Sequence, residues 1–192
     1  ELRVAYDATL NTDRVFFYDS YGSNTLENII SHVRHMAKSL DCKWIVLDHL
    51  SIIVSSQENG DERKAIDEIV TKLRELIQET KIGLLMVSHL RRPQGVGHED
   101  GAETSLSQLR GSAAIAQLSD MVIGLERDGQ HENDIIRNTT RVRVLKNRFS
   151  GTTGLATHLY YDKVTGRLSE IDDPSKNAEA VAGHSAMADF TS

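Results

Sequence analysis

Three short stretches of this chain carry side chains of a kind that handle phosphate. Asp48 ends the apolar run KWIVLD, Ser88 and His89 end the apolar run IGLLMVSH, and Lys146 and Arg148 stand two apart in VLKNRF. A carboxylate at the carboxyl end of a parallel strand can hold Mg2+, usually through water, while a polar group on the next strand end senses a phosphate. Two residues that are two positions apart on a strand share a face. A fixed Lys/Arg pair there suits the charge that develops on a transferred phosphoryl group. Each stretch also has a plainer reading. Asp48 and His89 could satisfy loop backbone at strand ends, and Lys146 with Arg148 could be a solvated basic face.

A second group points to a nucleic-acid backbone and to a base. In QLRGSAAIAQLSD, Arg110, Gly111 and Ser112 lead into what reads as a short helix, whose first N–H groups form an anion site. The alternative is simply a Gly-containing helix start. Arg91 and Arg92 open the polar, Gly-rich stretch 91–105, which reads as a mobile loop able to add backbone contacts. Arg127 and Tyr161 offer a guanidinium plane and a ring that could sandwich a base, although Tyr161 also fits a core strand. A metallohydrolase centre of Asp48, His49, His89 and His98 would leave the Lys-x-Arg and Arg-Gly-Ser stretches unexplained.

The elements that must position these groups alternate between strand and helix, as in βαβ units. RVFFYD (14–19) reads as a strand. NTLENIISHVRHMAKSL (24–40) reads as a helix with Asn24 as its N-cap and an apolar stripe through Leu26, Ile29, Ile30, Val33 and Met36. KWIVLD (43–48) is the next strand. The helix at 61–80 carries Ile66, Ile69, Val70, Leu73, Leu76 and Ile77 on one face, and 82–89 is a strand of the continuous apolar kind that parallel sheets bury. MVIGLE (121–126) is a further strand. RVRVLKNRF and GLATHLYYDKVTGRLSEI alternate around turn signals, as antiparallel hairpin strands do. The fold class is α/β, with a mostly parallel sheet flanked by helices and antiparallel strands at the C-terminal end.

Bulk composition narrows the classes. At 192 residues with 39% apolar content the chain can bury a core. Its single cysteine, Cys42, forms no internal disulfide. No apolar run reaches the roughly 18 residues a membrane span needs, so no membrane partner is expected. With a net charge of −6, any nucleic-acid contact must come from local basic loops. The opening ELRVAYDATLNTDR has neither an initiator Met nor a signal-peptide pattern and reads as the middle of a longer sequence. Residues 1–171 read as the ordered part, and 172–192 as a disordered tail.

Taken in order, VLDHLSIIVS, DERKAID, VSHLRRP, LRGSAAIAQLSD, LERD and VRVLKNRFSGTTG resemble the C-terminal half of RecA-like hexameric replicative DNA helicases. The primase–helicases of short-tailed phages are the nearest group, with Twinkle and DnaB further off. The resemblance spans about 43–168. It implies a RecA-like P-loop NTPase core that uses ATP or another NTP or dNTP with Mg2+, and a hexameric or heptameric ring that translocates on single-stranded DNA and unwinds duplex. Asp48 then resembles the Walker B acid that holds Mg2+ through water, and His89 the γ-phosphate sensor. Gln117 would link nucleotide to the DNA loop. Arg148 resembles an arginine finger acting on the neighbouring subunit's nucleotide, with Lys146 assisting. Arg127 and Tyr161 match the pair that packs on the base, and Arg91, Arg92, Arg110, Gly111 and Ser112 the loops that grip DNA.

Two departures accompany the resemblance. No G-x-x-x-x-G-K-[ST] phosphate loop occurs in the sequence, and no acid has the context of the family's catalytic glutamate. Both would lie before residue 1. The expectation is therefore a truncated reading frame or a piece of a larger primase–helicase, inactive alone. The P-loop strand would belong between the 82–89 and 121–126 strands, so its absence should leave unpaired backbone on both. The tail has Asp172, Asp173, Glu179 and Asp189, with Phe190 short of the end, where the family has a strongly acidic end and a terminal aromatic that docks DNA polymerase. Expected placement is the cytoplasm of a phage-infected bacterium. Alternative readings are a non-catalytic RecA-like interaction module or truncated ring subunit, and a recombinase-type RecA-like ATPase.

Overall fold

The computed structural model describes residues 2–18, 25–51, 62–91, 95, 97–109 and 113–176. Arg92, Arg110, Gly111, Ser112 and the expected cap Asn24 lie outside the described residues, as do 177–192. The chain divides into two compact units, 1–89 and 90–192.

The first unit holds helices α1 (Leu2–Thr9), α2 (Leu26–Ser39) and α3 (Glu62–Thr80) and strands β1 (Trp44–Leu47) and β2 (Gly83–Met86). β1 and β2 pair in parallel, Trp44 opposite Gly83 and Leu47 opposite Met86. A parallel pair needs a long crossover, and α3 lies within it. Both expected apolar stripes are used. Val33 of α2 and Leu76 of α3 bury against Ile45 and Ile82, with Ile29, Ile30 and Met36 packed around them. Ile66, Ile69, Val70 and Leu73 complete the buried face of α3. Arg34 and Lys38 of α2 each meet Glu79 of α3 at 2.8 Å, and these two hydrogen-bonded cations pull the Glu79 carboxyl down to about 2.

Three local expectations change. The α2 cap is Thr25, whose hydroxyl accepts from the Asn28 N–H at 3.3 Å. Residues 15–18 of the expected first strand form no ladder, because a strand needs a partner for its backbone groups and no described strand supplies one. The parallel pair is also less buried than its apolar runs imply. Ile45 faces the helices, whereas Trp44 on the opposite face is 71% exposed, together with Val46 and Leu85. The Trp44 ring lies so close over Gly83 that a Cβ there would sit 2.3 Å from the indole.

The second unit contains a 3-10 turn (Leu106–Gln108), helices α4 (Ala113–Leu118) and α5 (Asp134–Arg137), and strands β3 (Met121–Arg127), β4 (Thr139–Asn147), β5 (Gly154–Tyr161) and β6 (Leu168–Ile171). The strands form one antiparallel sheet in sequence order. The alternation at 141–171 thus reads through to hairpins as expected, with the β4–β5 turn closed by the Asn147 side chain accepting from the Phe149 and Ser150 N–H groups. Residues 172–176, read from sequence as tail, form a turn in which Asp173 accepts from both the N–H and the hydroxyl of Ser175. β2 and β3 belong to separate sheets, and among the described residues each has one unpaired edge.

Candidate functional site

Asp48 follows β1 and His89 follows β2, so the parallel pairing delivers both to carboxyl ends of neighbouring strands. The extension of the ladder past the strands fixes this placement, with the Val87 N–H donating to the Leu47 carbonyl and the Leu50 N–H to the Val87 carbonyl, each at 3.0 Å. The Asp48 carboxylate is 74% exposed, and His49 Nδ1 lies 3.9 Å from its Oδ1. His49 in turn meets His89 edge-to-face, ring centroids 4.4 Å apart. An open carboxylate at a strand end fits a water-mediated Mg2+ contact, which leaves the ion most of its hydration. Among the described residues no group of three or more His, Cys, Asp or Glu gathers to cage a metal.

In the second unit Lys146 and Arg148 turn to the same place, the carbonyl end of α4. Lys146 Nζ donates to the Ala116 and Gln117 carbonyls at 2.6 and 3.1 Å. Arg148 donates through Nη2 to the Gln117 carbonyl at 3.0 Å and through Nη1 to Asp120 Oδ1 at 3.1 Å. Cations are favourable there because the last carbonyls of a helix lack intrahelical donors. The Gln117 side chain is exposed.

Arg127 ends β3 and Tyr161 ends β5, and Asn138 holds both. Arg127 donates to the Arg137 carbonyl at 2.8 Å and to Asn138 Oδ1 at 3.2 Å, and the Tyr161 N–H donates to the Asn138 carbonyl at 2.9 Å. Asn138 is buried, and its amide donates to Asp134.

The stretch 91–105, expected as a mobile loop, is tied down over its described second half. Glu126 of β3, an acid in an apolar strand, has a fully buried side chain (0% exposed). Its Oε1 accepts from the Thr104 N–H at 2.8 Å, the Thr104 hydroxyl at 2.9 Å and Arg143 Nε at 2.7 Å, and Arg141 lies 3.3 Å from Oε2. Burial by itself would push this carboxyl up, but Arg143 and the two Thr104 donors outweigh it and hold the carboxyl below the ordinary glutamate range. Arg143 also pairs with Glu103 at 2.8 Å, Arg141 donates to the Gly101 carbonyl, and the Gly129 N–H donates to the Glu99 carbonyl. Arg91 bridges the start of the loop, its N–H donating to the Gln108 carbonyl at 2.8 Å.

Sequence reasoning assigned no role to Thr104, Asp120 or Asn138 and used Glu126 only as part of a motif. The signal for Glu126 was present: one acid inside an apolar strand, and two arginines at alternate positions of the next strand. Gly124 leaves room for the contact, because a Cβ there would lie 2.0 Å from the Thr104 hydroxyl. Gly124→Ala is expected to cost about 1–3 kcal/mol in chemical denaturation, since Thr104 would have to leave its rotamer. A variant as stable as the parent would contradict this packing.

A parallel strand pair with polar strand ends, followed in sequence by an antiparallel sheet, defines an α/β protein with Asp48 and His89 at adjacent strand ends. Residues 3–170 match the DnaB-like helicase C terminal domain family, and the chain belongs to that family. Over 164 residues it is 41% identical to the DNA helicase/primase of Enterobacteria phage T3, covering 85% of this chain and 28% of the relative. The chain therefore spans less than a third of that relative's length. The solved structure of a DnaB-like replicative helicase, described with its interactions with primase, superposes with a TM-score of 0.64 at 22% identity over 81% of this chain and 36% of the other. A KaiC-like protein of Pyrococcus horikoshii shares the fold at a TM-score of 0.59 and 15% identity, over 88% of this chain and 64% of the other.

Proposed function

We propose that this chain is the C-terminal part of the motor of a ring-forming replicative DNA helicase, which uses NTP hydrolysis to translocate on single-stranded DNA and unwind duplex. The observation that carries this reading is the placement of Asp48 and His89 at adjacent carboxyl ends of the β1–β2 pair, within a chain of the DnaB-like family. A bound Mg2+ would supply charge neutralisation at the nucleotide phosphates. Asp48 would hold it through water, His89 would sense the terminal phosphate, and His49 packs on His89 from the side. Lys146 and Arg148 would act on the nucleotide of the neighbouring subunit, with Gln117 relaying between nucleotide and DNA. Arg127 and Tyr161 would pack on the base of ATP or another NTP or dNTP.

Arg91, Arg92, Arg110, Gly111 and Ser112 would contact the DNA backbone. An acidic subunit can still line a ring's channel with basic loops. A finger that acts in trans requires self-assembly, and a hexameric or heptameric ring and a contact between the tail and DNA polymerase are part of the same proposal. Likeness to a phage helicase/primase supports the cytoplasm of an infected bacterium as its place of action.

A protein that joins this chain to a phosphate-binding-loop segment is expected to hydrolyse NTP faster with single-stranded DNA and to unwind a forked duplex. The chain by itself, which has no G-x-x-x-x-G-K-[ST], is expected to turn over none. Failure of the folded, joined protein to unwind, or turnover by the isolated chain at the rate of a complete helicase, would sink the reading.

A further inference from the structure

We propose that Asp120 is a positioning residue for Arg148: its carboxylate takes one of the guanidinium's donors, and an incoming phosphate competes with it for that donor. The inference rests on the assignment of Lys146 and Arg148 to phosphate. A guanidinium presents five N–H donors in a planar fork that carboxylate and phosphate both fit. Arg148 directs Nη1 to Asp120 Oδ1 at 3.1 Å and Nη2 to the Gln117 carbonyl at 3.0 Å, so the acceptors on either side set its orientation.

The pair is at the surface. Arg148 is 50% exposed and Asp120 33%, so a soluble anion can reach the guanidinium without unfolding anything. The exchange is also electrostatically graded. Asp120 carries one negative charge and the Gln117 carbonyl only a partial one, whereas a triphosphate brings several. Lys146, on the Ala116 and Gln117 carbonyls, adds a second cation beside Arg148. The backbone keeps Asp120 in place whatever its side chain does, because the Arg148 N–H donates to the Asp120 carbonyl at 2.8 Å. The carboxylate therefore acts as a stand-in anion. It keeps the cation aimed while phosphate is absent, and it weakens phosphate capture by competing for the same donors.

The test uses the chain as it is, with inorganic tripolyphosphate as the probe and titration calorimetry as the readout. Asp120→Asn keeps the shape and removes the competing charge. It should tighten binding roughly two- to fivefold, the scale of an exposed ion pair, and Arg148→Met should abolish the gain. A purely structural salt bridge would instead lower the melting temperature of Asp120→Asn and leave tripolyphosphate affinity unmoved. Binding that depends on Arg148 but is equal or weaker in Asp120→Asn overturns the proposal and leaves the phosphate assignment standing. No Arg148-dependent binding in any variant overturns the proposal, and the effect of Arg148→Ala on NTP turnover in the joined protein then decides the phosphate assignment. Should Asp120→Asn fail to fold, NMR of the unaltered chain decides. The Arg148 guanidinium and Asp120 carboxyl signals should move together as tripolyphosphate is added, and a stationary Asp120 signal overturns the proposal.

Discussion

Glu126→Ala is expected to lower the stability of the second unit by about 3–5 kcal/mol, the cost of removing one partner from a buried ion pair. The charges left behind are Arg143, whose side chain is 18% exposed and whose remaining carboxylate partner is Glu103, and Arg141, 32% exposed. The Thr104 N–H and hydroxyl would lose their acceptor in the same step. Glu126→Gln, which keeps the shape and one acceptor oxygen, should cost less and so separates charge from packing. The pH dependence has a definite sign. Because the folded carboxyl lies below its ordinary value, its contribution is complete above the ordinary glutamate pKa and is lost as pH falls through the depressed folded value. The deficit of Glu126→Ala should therefore be full at neutral pH and shrink on acidification. Denaturant titrations at several pH values measure this, and an alanine variant within 1 kcal/mol of the parent at neutral pH, a margin well inside the buried-pair range, would refute the network.

The second large effect concerns chemistry. In a ring-forming protein that combines this chain with a phosphate-binding loop, Arg148→Ala is expected to reduce NTP turnover about 10^3- to 10^5-fold, the usual weight of an arginine finger. Nucleotide affinity should change far less, since the finger acts on charge that develops during transfer. The trans assignment adds a sharper expectation. Subunits with Arg148→Ala, mixed with subunits carrying Asp48→Asn, should recover part of the activity, because a mixed ring contains sites with both Asp48 and a neighbour's Arg148. Mixtures no more active than the separate variants would place Arg148 in its own subunit's site instead.

The helices were the most legible part of this sequence. The stripes from Leu26 to Met36 and from Ile66 to Ile77 have a period only a one-sided helix satisfies, and both bury as read. Strand ends were legible too, since Asp48 and His89 each close an apolar run. What failed was whatever depends on a partner distant in sequence. Residues 15–18 have strand-like composition but no ladder, and composition cannot report whether a neighbour exists. Asp120 and Asn138 look like ordinary polar residues, and only the fold brings them to Arg148 and to Arg127 and Tyr161. Residues 97–105 of the loop looked mobile because their Gly and charge content hides the single threonine that matters.

Asn138 has a thermodynamic consequence. Its buried side chain fixes the Arg127 guanidinium, and its carbonyl fixes the Tyr161 backbone, in the protein as it folds. The conformational entropy of ordering that end of the sheet is thus spent during folding and does not have to be spent again on association. Under the proposed assignment of Arg127 to the nucleotide base, the base would meet a guanidinium already oriented, and that share of its affinity would come from rigidity already present.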